Sequence, residues 1–108
     1  MSSTPTFREI APDDAYRARG RSRVIDVREA GELRLEGFMP GVEHVPLASL
    51  EAEARAWDRG VELVLVCRSG NRSRRAAAAL AAIGFRNVLN MTGGMLAYAA
   101  AGLPVARP

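Results

Sequence analysis

Residues 61–66 read Val-Glu-Leu-Val-Leu-Val and run straight into Cys67-Arg68-Ser69-Gly70-Asn71-Arg72-Ser73. So short and so nearly continuous an apolar run leaves no face for water. It fits a central strand of a parallel sheet, covered on both sides. Parallel neighbours cannot be joined by hairpins; each pair needs a crossover, which is usually a helix. The rest of the chain should therefore alternate strands with helices.

The remaining segments follow that rhythm. Strands are expected at 7–10, 23–27, 42–45 and 87–91, beside the one at 61–66. Helices are expected from Pro12-Asp13-Asp14, with its acids near the positive end, over 29–36 with Gly37 as the stop, and over 48–57 before Asp58-Arg59-Gly60. A fourth helix leaves the Cys67 loop and runs to 83, with Ala76, Leu80 and Ile83 toward the sheet and Gly84 as its stop. A fifth covers 95–101 after the turn Gly93-Gly94. The arrangement is α/β: a right-handed, mostly parallel central sheet of about five strands, with helices on both faces. A chain of 108 residues has room for one domain, taken as 1–108, and can fold without disulfides or a structural metal. In such sheets, sites form beyond the carboxyl ends of strands, and Cys67 ends the most regular one.

Composition narrows the function classes. The formal charge is +3, and all 15 basic residues are arginine, with no lysine. Arg68, Arg72, Arg74 and Arg75 crowd the cysteine, and a guanidinium fork grips small oxyanions bidentately. Arg17, Arg19, Arg21 and Arg23 crowd a turn and read as a solvated surface. Without interleaved aromatics these clusters do not make a nucleic-acid footprint, so no nucleic-acid partner is expected. One cysteine and one histidine supply no zinc-ligand set, and neither a metal nor a cofactor is expected. Residues 1–7 show no charged n-region or apolar h-region, and 76–83 is far shorter than the roughly 20 residues of a membrane span. A cytoplasmic protein without a membrane partner is the expectation.

The Cys67 loop carries the chemistry. A short, glycine-containing turn from a buried strand into a helix points successive backbone N–H groups inward, and the helix's positive end adds to their field. A thiol held there ionises below its usual value near 8.5. Its thiolate can attack sulfane sulfur and carry the product as a persulfide. Arg72, Arg74 and Arg75 sit in the first helical turn, where the helix dipole disfavours cations. An anion bound between the helix end and Arg68 plus Arg72 would resolve that conflict. The plainer alternative is a cysteine buried as a small hydrophobe.

These segments resemble the rhodanese family. The loop Cys67-Arg68-Ser69-Gly70-Asn71-Arg72-Ser73 is similar to its active-site loop, in the variant associated with thiosulfate as donor. Ile25-Asp26-Val27-Arg28-Glu29 with Glu32 resembles its first signature. Residues 36–46 resemble its Gly-His-Ile-Pro-Gly-Ala segment, and Gly84-Phe85-Arg86-Asn87-Val88 with Gly93-Gly94-Met95-Leu96-Ala97-Tyr98 its closing signature. The resemblance covers about residues 6–105, in the expected order. It implies the rhodanese fold, with Cys67 as the persulfide-forming nucleophile and Arg68 and Arg72 holding the donor's sulfonate oxygens. Backbone from Ser69 through Gly70 and Asn71 to Ser73 would cradle the transferred sulfur, and Asp26 and Arg28 would brace the loop. Partners would be a small anionic sulfur donor and an external thiol or protein acceptor; the oligomeric state is not legible. Phe38 stands where the family usually has histidine, and Tyr98 where it often has tryptophan, which bears on wall shape and packing.

Three other readings compete with this one. Cysteine phosphatases on related loops place five residues between cysteine and arginine; here four separate Cys67 from Arg72, Ser73 fills the arginine position, and Val66 precedes the cysteine. No leaving-group acid stands out either. A sulfur-relay carrier that turns over free thiosulfate poorly is an alternative, as is a non-catalytic interaction module, although such modules usually lose the cysteine. His44 reads as packing or surface rather than a general base. Trp57 and Phe85 read as core or helix-edge anchors, Met39, Met91 and Met95 as packing, and Glu51 and Glu53 as a solvated helix face.

Overall fold

The computed structural model describes residues 6–108. The stretch 1–7, read above as lacking a leader, falls mostly outside the described residues. Five strands form one parallel sheet: β1 (Arg8–Ile10), β2 (Arg23–Asp26), β3 (Glu43–His44), β4 (Glu62–Val66) and β5 (Asn87–Met91). Their order is β1-β5-β4-β2-β3, so β4 is central, as its apolar run requires.

The helices are α1 (Pro12–Arg17), α2 (Ala30–Glu36), α3 (Leu47–Ala54), α4 (Asn71–Ala82) and α5 (Gly94–Ala100), with a 3-10 turn at Ala18–Gly20. Alternation along the strands divides the core in two. Ile25, Leu63, Leu65 and Val88 pack with Leu50 and Ala54 of α3 and Ala76, Ala77 and Leu80 of α4. Val24, Val64, Val66, Leu89 and Met91 pack on the opposite face with Ala15 of α1 and Met95 and Tyr98 of α5. Helices therefore cover both faces.

Two expectations need correction. Ile83 does not face the sheet: it closes α4 at φ −95°, outside the helical register, and is 37% exposed. Helix α3 stops at Ala54 rather than at 57, because the chain turns to set Trp57 edge-on against Phe85, with ring centroids 6.4 Å apart. Arg23 then stacks over the outer face of Trp57 at 4.0 Å. No helix among the described residues is long and apolar enough to cross a membrane.

Candidate active site

Cys67 follows the central strand, and the loops after β2 and β5 lie on either side of it. Val27 N–H donates to the Val66 carbonyl at 2.9 Å. From the other side, the first turn of α5 donates Met95 N–H to the Cys67 carbonyl at 2.8 Å and Leu96 N–H to the Arg68 carbonyl at 3.0 Å. The loop is thus clamped at its base. Gly70 makes the sharp entry into α4 at φ 95°, the left-handed region where glycine is tolerated without penalty.

That turn brings donors onto the sulfur. Gly70 N–H lies 3.1 Å from Cys67 Sγ, Ser73 N–H 3.3 Å and Ser73 Oγ 3.2 Å. Cys67 is fully buried, as a packing cysteine would be, but polar hydrogens converge on its sulfur. Burial is the largest single influence on the thiol and opposes ionisation. The Ser73 hydroxyl and the N–H groups of Ser73, Gly70 and Ser69 together outweigh it and hold the thiol below its ordinary value. The arrangement favours the ionised form of the thiol.

The Ser73 hydroxyl has one proton and two claimants. Besides Sγ it meets Oδ1 of the buried Asn90 at 2.5 Å. The Asn90 amide is oriented by its other end, where Nδ2 donates to Glu9 at 3.1 Å and to the Gly70 carbonyl at 3.3 Å. Ser73 can donate to Asn90 Oδ1 while the sulfur carries its own hydrogen, and to Sγ once the sulfur is ionised. Asn90 was missed by the sequence reading. Its signal was a polar residue inside an otherwise apolar strand, two positions on from Val88 and hence on the face toward α4.

The other expected site residues are placed as follows. Ser69 and Asn71 are exposed on the rim. Arg72 stands in the first turn of α4 and grips Glu32 of α2 with both nitrogens, at 2.7 and 2.8 Å. This pairing holds the Glu32 carboxyl down to about 2, against a smaller opposing effect of burial, and raises the Arg72 guanidinium. Arg68 points its Nε at Glu36, 3.1 and 3.2 Å from the two oxygens, and Arg74 reaches Glu9 at 3.4 Å. The cation excess at the start of α4 is therefore offset by carboxylates of α2 and β1, where the sequence alone pointed to a bound anion. Asp26, the last residue of β2, and Arg28 just beyond it form a fully buried pair, with Arg28 Nε and Nη2 on the carboxylate at 2.8–3.1 Å and Nη2 also on the Gly37 carbonyl at 2.9 Å. His44 is exposed, and its Nε2 meets the Arg28 carbonyl at 2.7 Å, which makes it a brace for that turn. The phenol of buried Tyr98 donates to the Pro104 carbonyl and pins the C-terminal segment, while Phe38 pairs its backbone with Ala106.

Comparison with known proteins agrees with this architecture. Residues 11–101 match the family model described as a rhodanese-like domain. The chain is 36% identical over 90 residues to a thiosulfate sulfurtransferase of Pseudomonas paraeruginosa, covering 82% of this chain and 81% of that one. It is 38% identical over 72 residues to a putative sulfur carrier protein of Bacillus subtilis, covering 67% of this chain but only 38% of the relative's length. A rhodanese-related protein of Thermoplasma volcanium superposes with a TM-score of 0.82 at 29% identity, over 92% of this chain and 97% of that one.

Proposed function

The chain belongs to the family of rhodanese-like domains, and from that premise we propose that it is a sulfurtransferase working through a persulfide on Cys67. The observation that carries this reading is the convergence of Gly70 N–H, Ser73 N–H and Ser73 Oγ on Sγ at 3.1–3.3 Å. Donors so arranged stabilise a thiolate, and they can pass to the outer sulfur of Cys–S–S⁻ when it forms.

The cycle is a double displacement. The Cys67 thiolate attacks the terminal sulfur of thiosulfate or a similar sulfane donor; a new S–S bond forms, the donor's S–S bond breaks, and sulfite leaves with the electron pair. Arg68 and Arg72, turning from Glu36 and Glu32, hold the sulfonate oxygens during this step, and backbone from Ser69 through Gly70 and Asn71 to Ser73 cradles the sulfur. An acceptor (cyanide, a thiol or a protein cysteine) then attacks the outer sulfur, and Sγ takes back the pair as thiolate. Asp26 and Arg28 brace the loop from below. The sequence contains no second cysteine, so the persulfide is not resolved as a disulfide within these residues.

The test is direct. After incubation with thiosulfate, mass spectrometry should show one added sulfur on the wild-type chain and none on Cys67→Ser. Thiocyanate should then appear on adding cyanide. A wild-type chain that gains no sulfur from thiosulfate, polysulfide or a thiol persulfide would defeat the proposal. A chain that becomes persulfidated but gives cyanide nothing would instead be a relay carrier, a reading the similarity to a putative sulfur carrier favours.

A further inference from the structure

Glu36 ends α2 between two guanidinium groups. Its oxygens take the Nε of exposed Arg68 at 3.1 and 3.2 Å. On its other side, Oε1 lies 4.0 Å from Nη1 of Arg28. Arg28 is fully buried, and its Nη1 has no hydrogen-bond partner among the described residues. An unpaired buried N–H is costly, and groups of this kind in folded chains are nearly always satisfied. A movement of about 1 Å would bring Oε1 within hydrogen-bond range of Nη1.

We infer that Glu36 is an internal competitor for the donor site, a carboxylate that holds Arg68 against anions and yields to them by turning to Arg28 Nη1. The inference rests on the proposed role of Arg68 in holding the donor. In the resting chain the carboxylate holds Arg68 through Nε alone. When a donor's oxygens take Arg68, the displaced carboxylate is not stranded beside a like charge, because the orphan Nη1 accepts it. When sulfite has formed, the same carboxylate returns to Arg68 and drives the product off. Bystander oxyanions face the same competition, so Glu36 lowers the site's affinity for oxyanions in general and keeps product from lingering. Asp26 already neutralises Arg28 through Nε and Nη2, which leaves Nη1 free to act as the second berth.

The experiment compares sulfite binding by calorimetry for wild type, Glu36→Gln, Arg68→Ala and the double variant, with no turnover required. Removing the charge should tighten sulfite binding about two- to fivefold, the range set by an exposed ion pair. It should lower the KM for thiosulfate by a similar factor. In the Arg68→Ala background the same change should have no effect. A crystal structure with sulfite bound should show a Glu36 oxygen within hydrogen-bond distance of Arg28 Nη1. Unchanged or weaker sulfite binding in Glu36→Gln, an effect that survives without Arg68, or a sulfite complex with Nη1 still unpaired would each overturn the inference. Failure of the sulfurtransferase reading is separate: it is read as absence of the persulfide by mass spectrometry, and the sulfite titration still decides the role of Glu36.

Discussion

Ser73 reaches Cys67 twice, with its backbone N–H 3.3 Å and its hydroxyl 3.2 Å from Sγ. The N–H survives substitution by alanine; the hydroxyl does not. A hydrogen bond to a charged group is worth about 1.5–3 kcal/mol, so Ser73→Ala should cut the rate of Cys67 alkylation at neutral pH roughly tenfold or more. The midpoint of the alkylation rate against pH should rise. A profile that does not move would show that the hydroxyl belongs to Asn90 in every state.

The same donors tie ionisation to folding. Cys67 titrates below its ordinary value in the folded chain, so the thiolate is favoured by folding. The sign follows from linkage: its contribution to stability grows as pH rises through the folded value, is complete above the free thiol's value, and vanishes as pH falls. Relative to Cys67→Ser, the wild-type chain should gain resistance to urea between neutral pH and about 9 under reducing conditions. A gap that is flat, or that narrows, would count against the thiolate nest.

Much of this site was legible in the sequence because its parts are local. The run before Cys67 has no polar face, so it had to be central; β5 occupies the expected Asn87–Met91; and Gly70 marks the turn that aims N–H groups at the sulfur. What was not legible came from pairing between distant segments. Arg68 and Glu36, or Arg74 and Glu9, meet only because α2 and β1 are carried to the end of β4 by the sheet order, and no local periodicity records that. The early end of α3 is likewise tertiary: its helical composition continues, but the Trp57–Phe85 contact outweighs it.

Gly94 fixes the roof of the loop. Its φ is +60°, and a Cβ there would lie 2.5 Å from the Arg68 carbonyl carbon and oxygen and 2.6 Å from the Cys67 carbonyl oxygen. None of these atoms can move without moving the sulfur. Gly94→Ala should therefore cost roughly 2–4 kcal/mol in thermal or urea unfolding and slow persulfide formation in the fraction that folds. Gly102→Ala, at a positive φ with open space around it, should keep sulfur transfer and lose less stability.

The buried pair of Asp26 and Arg28 makes a different kind of prediction. Both side chains are fully buried, so removing one leaves the other charged and unpaired. Asp26→Leu or Arg28→Met alone should cost about 3–5 kcal/mol. The double variant should cost less than either single change, a coupling that chemical denaturation of all four proteins measures. Additive losses would mean that the pair is not a unit.

Glu32 and Arg72 supply the acid-side counterpart. The bidentate pair at 2.7 and 2.8 Å holds Glu32 at about 2 in the folded chain, against 4.5 for the free side chain. A depressed carboxylate stabilises the fold fully above the unfolded value, and that contribution is lost as pH falls toward the folded one. Both partners are partly in water, with 37% and 23% side-chain exposure for Arg72 and Glu32, so solvent screening reduces the effect to about 1 kcal/mol. Glu32→Gln should therefore be less stable than wild type by that amount above pH 4.5, and the two proteins should converge as pH drops to about 2. Because Glu32 also accepts the Glu29 N–H at 2.8 Å, a bond that the glutamine carbonyl retains, the helix start should survive and far-ultraviolet circular dichroism should not change. Stability curves that stay parallel across this pH range would show that Arg72 is not held by a charge.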